Sequence, residues 1–161
     1  MTEDQAQQII TAARSWIGTP YHDQAGVRGV GCDCLGLIRG VWREVIGDEP
    51  TDIPPYTRDW GETGGIEVLA EGAKKWLQPV PLEHIKPGCI LMFRMRDTAI
   101  AKHCGIMSDA NHFIHAYERV GVIEQQLTKA WRLRLAFGFS LIGTSQLRGT
   151  NYGAKRINMR P

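Results

Sequence analysis

The chain has 161 residues, 43% of them apolar and 22% charged, enough for one domain with a full core and too few for two ordinary ones. That composition excludes disordered, collagen-like and low-complexity architectures. Nineteen Lys and Arg against seventeen Asp and Glu leave +2, too small an excess to make nucleic acid or an anionic membrane the principal partner.

Residues 1–8 have neither the basic start nor the apolar stretch of a secretory signal, so synthesis in the cytoplasm without a signal peptide is expected. Thr2-x-x-Gln5 has the form of a capping box, and Ala6, Ile9, Ile10, Ala13, Trp16 and Ile17 recur at helical spacing until Gly18 and Pro20. A Gly-rich stretch, Gly26 to Gly31, leads into a second helical stripe of Cys34, Leu37, Ile38, Val41, Trp42 and Val45, closed by Gly47. Pro50, Pro54 and Pro55 predict a loop, and Ile66, Leu69, Ala73, Trp76 and Leu77 a third helix. Trp16, Trp42 and Trp76 fall on these stripes and are read as core.

From Pro79 onward the pattern becomes short apolar or alternating runs: Cys89–Arg94, His103–Ser108, His112–Tyr117, Gly121–Leu127 and Phe137–Ile142. Helices followed by strands predict an α+β domain in which a mostly antiparallel sheet packs on the N-terminal helices. No run approaches the roughly 20 apolar residues needed to span a bilayer. Residues 1–145 are expected to form the single domain. Residues 146–161, with Arg148, Lys155, Arg156 and Arg160 and no acid, are expected to be a loosely ordered basic extension.

Four cysteines, Cys32, Cys34, Cys89 and Cys104, are expected to be free thiols, because the Cys-x-Cys pair is cramped and the cytoplasm reducing. Cys34 stands where a helix begins, and the partial positive charge and unpaired N–H groups there stabilise a thiolate. A nucleophilic thiol needs a base within hydrogen-bond reach and a third group to orient that base. His103 and His115 lie on adjacent strand segments joined by a short turn, so one face of the sheet can carry both. His22, His84 and His112 are read as structural. Zinc is the competing use of these atoms; Cys-x-Cys is not the usual knuckle spacing and no second pair exists, so no metal is expected. Tyr21, in the loop after the first helix, can bring its hydroxyl to a polar site.

Several motifs in fixed order now carry a resemblance: Gly18-Thr19-Pro20-Tyr21, Gly31-Cys32-Asp33-Cys34-Leu35-Gly36-Leu37, Pro87-Gly88, His103-Cys104-Gly105-Ile106 and Phe113-Ile114-His115-Ala116. Together they resemble the NlpC-type cysteine peptidases that cut bacterial cell-wall peptides. The likeness to the small phage and gene-transfer-agent members extends through Val41-Trp42-Arg43-Glu44, Pro55-Tyr56-Thr57 and Phe93-Arg94-Met95-Arg96. The resemblance implies a papain-like α+β fold with Cys34 as nucleophile, His103 as general base and His115 as the residue orienting it. It further implies that Tyr21 helps shape the substrate site and the oxyanion hole, and that Asp33 contacts the free amine of a stem peptide.

The implied substrate is the γ-D-glutamyl to diaminopimelate or Lys bond of peptidoglycan, with no cofactor. The implied setting is a phage or gene-transfer-agent tail that acts in the host wall, with tail proteins as partners. Leu35 stands where many relatives have Ser, Cys89 where an acid is usual and Cys104 where an aliphatic or small residue is usual. Two other readings use the same residues: a catalytically silent tail-tip plug protein, and an amidase or acyltransferase with another acyl substrate.

Overall fold

Thr2 and Gln5 close the capping box that their spacing predicts. The Gln5 N–H donates to Thr2 Oγ1 at 3.2 Å, and the Thr2 N–H donates to Gln5 Oε1 at 2.8 Å. They open α1 (Glu3–Arg14), whose Ala6, Ile9, Ile10 and Ala13 are buried. The helix stops at Arg14, short of the expected Ile17, and a turn carries the chain to Gly18 at φ +89°. Trp16 is still core, its indole N–H donating to Glu44 Oε1 at 3.0 Å, whereas Ile17 faces solvent.

The structure, a computed structural model, describes residues 1–49, 67–96 and 98–141. The proline loop, Ile66, the Pro55-Tyr56-Thr57 motif, Ile142 and the basic extension 146–161 lie outside the described residues. After α1 comes a small hairpin of β1 (Gly26–Val27) and β2 (Gly31–Cys32), then α2 (Cys34–Val45) and α3 (Val68–Lys74). The second helix matches its predicted bounds. The third is shorter than its apolar spacing suggests, so Trp76 falls beyond its end and is 44% exposed, which corrects its reading as core. Trp42 is half-buried at the margin of the core.

Six strands follow: β3 (Gln78–Val80), β4 (Cys89–Arg94), β5 (Ala101–Met107), β6 (His112–Tyr117), β7 (Gly121–Gln126) and β8 (Leu135–Ser140). They form one antiparallel sheet in the order β3-β8-β4-β5-β6-β7, with a short α4 (Lys129–Arg134) running directly into β8. This is the α+β arrangement the sequence predicts.

The sheet is covered on both faces, and the period-2 alternation of a strand sorts the side chains between them. Ile90, Met92, Cys104, Ile106, Ile114 and Ala116 pack against Ile9, Ala13, Leu37 and Val41 of α1 and α2. The other face gathers Leu91, Phe93, Met107, Phe113, Leu127 and Trp131 under α4. Glu67, at the start of α3, accepts from Arg94 at 2.6 Å and from the Ala101 N–H at 2.8 Å, so α3 is fastened to the ends of β4 and β5.

Candidate active site

Asp33 sets the position of Cys34. Its backbone is extended, with φ −98° and ψ −174°, and its Oδ1 accepts the Gly36 N–H at 2.7 Å as the N-cap of α2, which makes Cys34 the first helical residue. Asp33 Oδ2 accepts the Gln24 N–H at 2.8 Å, so one buried carboxylate ties the preceding loop to the helix start. Gly36 allows this close approach: a Cβ there would stand 1.8 Å from the Ala25 carbonyl oxygen. Arg43 adds a second tie, bonding the Gly26 carbonyl and Glu49. Tyr21 bridges to Cys32 at the margin of the hairpin and is half-buried against the core.

The Cys34 thiol is half-buried at the mouth of the helix, 3.8 Å from the Lys102 carbonyl oxygen at the start of β5. A hydrogen bond with the Cys104 side chain, together with the His103 imidazole, holds its pKa well below the ordinary thiol value, against the opposing effect of burial. Cys104 is pushed the other way, well above the ordinary value, by sharing that hydrogen bond and by burial. The bond the two sulfurs share thus shifts them in opposite directions, Cys34 toward easier and Cys104 toward harder loss of its proton. Cys32, one residue before Asp33, is pushed up to about 12 by burial and is inert.

His103 and His115 meet with Nε2 of the first 2.7 Å from Nδ1 of the second, their rings nearly perpendicular at 80°. The sheet makes this possible. The β5–β6 ladder consists of Ile106↔Ile114 and Met107↔Phe113 and ends there, so the two rings meet diagonally across the gap. Gly105 lies between them. A Cβ at that position would meet the Ile114 carbonyl oxygen at 2.7 Å and His115 Cβ at 3.0 Å.

His115 is fully buried, and burial first, then the charge of His103, lowers its pKa from 6.5 to about 3. At neutral pH it is an uncharged imidazole, which receives a hydrogen bond from His103 without competing for its charge. Trp131 packs over the pair, with ring centroids 5.7 Å from His103 and 5.4 Å from His115, beside Phe93, Phe113 and Tyr117.

Of the five residues singled out in the sequence, Cys34, His103 and His115 thus converge, Asp33 caps the helix that carries the thiol, and Tyr21 lies in the adjoining loop. Sequence reasoning passed over Cys104 as a departure from family pattern and did not single out Trp131. The signal for Cys104 was its place beside His103, two residues from Lys102, whose carbonyl faces Cys34. Trp131, on a six-residue helix with no apolar stripe, gave none. His112 pairs with Asp109 at 3.0 Å in the β5–β6 turn, as a structural histidine does. Leu35 packs against the core and, with Ile38, Leu69, Trp76 and Cys104, lines a cavity of about 260 Å³. Among the described residues no three His, Cys, Asp or Glu side chains converge as a metal site, and no helix is long and apolar enough to cross a membrane.

Three solved structures share the fold. An NLP/P60-family protein similar to a lipoprotein, from Staphylococcus aureus, superposes with TM-score 0.61 at 20% identity, over 89% of this chain and 43% of that one. The NlpC/p60 domain of the peptidoglycan hydrolase SagA gives 0.57 at 23% identity, over 84% and 97%. The peptidoglycan hydrolase RipB from Mycobacterium tuberculosis gives 0.55 at 19%, over 89% and 69%. The chain therefore spans less than half the length of the first of these. No curated protein sequence matches it. The sequence model of the NlpC/P60 family matches residues 18–137, a span that runs from the loop before Tyr21 through the thiol, both imidazoles and Trp131, and the chain belongs to the NlpC/P60 family.

Proposed function

We propose that the chain is a cysteine endopeptidase of peptidoglycan stem peptides that cuts the bond between γ-D-glutamate and diaminopimelate or Lys. One observation carries the reading: a thiol at a helix N-terminus, with its proton affinity lowered, faces an imidazole that is held from behind by a second, neutral imidazole. Family membership supports cell-wall peptide chemistry, and two of the structural neighbours are described as peptidoglycan hydrolases.

In this reading His103 takes the Cys34 proton through the ring nitrogen not engaged with His115, and the thiolate attacks the scissile carbonyl carbon. Helix geometry leaves the N–H groups of Cys34 and Leu35 without intrahelical acceptors, so they can receive the developing oxyanion, and Tyr21 of the adjoining loop is assigned as the further donor. The tetrahedral adduct collapses as His103 returns the proton to the leaving amine. Water, deprotonated by His103, then hydrolyses the thioester and regenerates Cys34. Asp33, whose oxygens accept the Gln24 and Gly36 N–H groups, is in this reading also the acid that contacts the substrate amine.

Placement in a phage or gene-transfer-agent tail, acting at the host wall, is the second part of the proposal. It is supported by the likeness of Val41–Glu44 and Phe93–Arg96 to the small particle-borne members, and mass spectrometry of purified particles tests it by presence or absence of the chain. For the reaction, the test is mass spectrometry of a defined L-Ala-γ-D-Glu-diaminopimelate peptide and of whole muropeptides after incubation with wild type or Cys34→Ala. Cleavage after the glutamyl residue by wild type alone is the expected result; no cleavage by the folded, reduced protein overturns the reading.

A further inference from the structure

We propose that Gln125 is a positioning residue for the thiol–imidazole pair, which it controls by accepting the Nε2 proton of His115 and so fixing that ring's tautomer. The inference rests on the reading above, in which His103 is the base for Cys34.

His115 is fully buried, and its Nε2 has no partner within hydrogen-bond geometry. A neutral imidazole carries one proton, and the hydrogen bond made at one nitrogen decides which nitrogen carries it. His103 must offer a lone pair to the Cys34 thiol, so its own proton sits on Nε2 and points at His115 Nδ1, 2.7 Å away. Nδ1 of His115 is then the acceptor, and the His115 proton is forced onto Nε2. A buried N–H with no acceptor costs about 1–3 kcal/mol, which favours the reversed arrangement, in which His115 donates from Nδ1 to His103 Nε2 and the His103 proton moves to Nδ1, where it blocks acceptance from Cys34.

The only long polar side chain that the β7 register brings to this face is Gln125. The β6–β7 ladder pairs Phe113 with Gln125 and His115 with Ile123, so Gln125 is the diagonal neighbour of His115 on the same face. Glu124 faces the opposite way, where it is paired with Arg14 at 2.7 Å. The Gln125 side chain already acts on the His115 ring, raising its affinity for protons, as an oxygen facing an N–H does. A small closure of that contact completes a chain from Gln125 through His115 and His103 to Cys34. Among the described residues the side chains in ring contact with His115 are His103, Phe113, Tyr117 and Trp131.

Nitrogen-15 NMR of the histidine rings, together with the pH profile of Cys34 alkylation, tests the assignment in wild type, Gln125→Met and Gln125→Glu. Wild type is expected to show His115 protonated at Nε2. Gln125→Met removes the acceptor, shifts the ring toward the Nδ1 tautomer, slows Cys34 alkylation at neutral pH about tenfold and lowers kcat with KM unchanged. Gln125→Glu keeps an acceptor oxygen and restores the Nε2 tautomer. A wild-type His115 protonated at Nδ1, or a Gln125→Met protein with wild-type tautomer and thiol profile, overturns the proposal. An ordinary thiol profile in wild type would sink the parent reading instead, and the wild-type tautomer spectrum still decides the place of Gln125.

Discussion

Along β4, Ile90 and Met92 face α1 and α2 while Leu91 and Phe93 face α4, so neighbouring residues of one strand serve two different layers. The helix-side layer is mostly aliphatic, with Ile9, Leu37, Val41, Ile106 and Ile114 buried together, and its task is cohesion. The α4-side layer is aromatic and encloses two imidazoles, and its low polarity is what keeps His115 uncharged. Cys34 lies at the margin of the helix-side layer, at the start of α2, and meets His103 beyond the end of the β5–β6 ladder. The lesson is that burial is used twice, once for stability and once to set a protonation state.

Substitutions in the two layers separate their roles. Trp131→Ala strips the cover from both imidazoles and is expected to cost about 3–5 kcal/mol in urea unfolding, while also raising the His115 pKa from about 3 by admitting water. Phe139→Ala, in the helix-side layer, is expected to cost a similar amount and to leave the pH profile of the remaining folded protein unchanged. Equal shifts of the profile in both variants would erase the distinction between the layers.

The acid limb of stability comes next in size. Because the folded pKa of His115 is depressed below its unfolded value of 6.5, the unfolded chain binds the extra proton between about 3 and 6.5. Stability therefore falls as pH is lowered through that window, by at most about 1.4 kcal/mol per pH unit from this group. His115→Asn should flatten that slope; an unchanged slope would show that the ring is already protonated in the folded state.

Cys104→Ala removes the donor to the Cys34 sulfur. The thiol titration should move up toward the ordinary value, with alkylation at pH 6 slowed about tenfold and recovered in alkaline solution. Asp33→Asn keeps an amide oxygen for the Gly36 N–H but turns its amide nitrogen toward the Gln24 N–H, and is expected to cost about 1–3 kcal/mol. Loss of cleavage of amine-bearing peptides in that folded variant would assign Asp33 to substrate recognition, and retained cleavage would confine it to the helix cap.

Much of the frame was legible because local chemistry and global packing agree there. The Thr2/Gln5 box and the stripe from Cys34 to Val45 predict α1 and α2, and four of the strands follow from alternating or continuous apolar runs. The last strand starts at Leu135, two residues before the predicted start, because α4 leads straight into it. What was not legible lacks periodicity. The hairpin of β1 and β2 is two residues a strand, β3 contains Pro79, and α4 shows one buried apolar residue, Trp131. Cys34, His103 and His115 could be named from helix position, strand adjacency and family likeness. The partnership of Cys34 with Cys104 and the cover of Trp131 needed the three-dimensional contacts, because both are made between elements far apart in the chain.

The central claim, that the α2 terminus and the paired imidazoles together activate Cys34, is tested most directly by alkylating the folded protein across a pH series and mapping each cysteine by mass spectrometry. The account predicts that Cys34 reacts first, with a midpoint well below that of a free thiol, that His103→Ala removes the advantage, and that Cys32, Cys89 and Cys104 stay unmodified while the fold persists. A Cys34 midpoint at or above that of a free thiol, unchanged in His103→Ala, would contradict it.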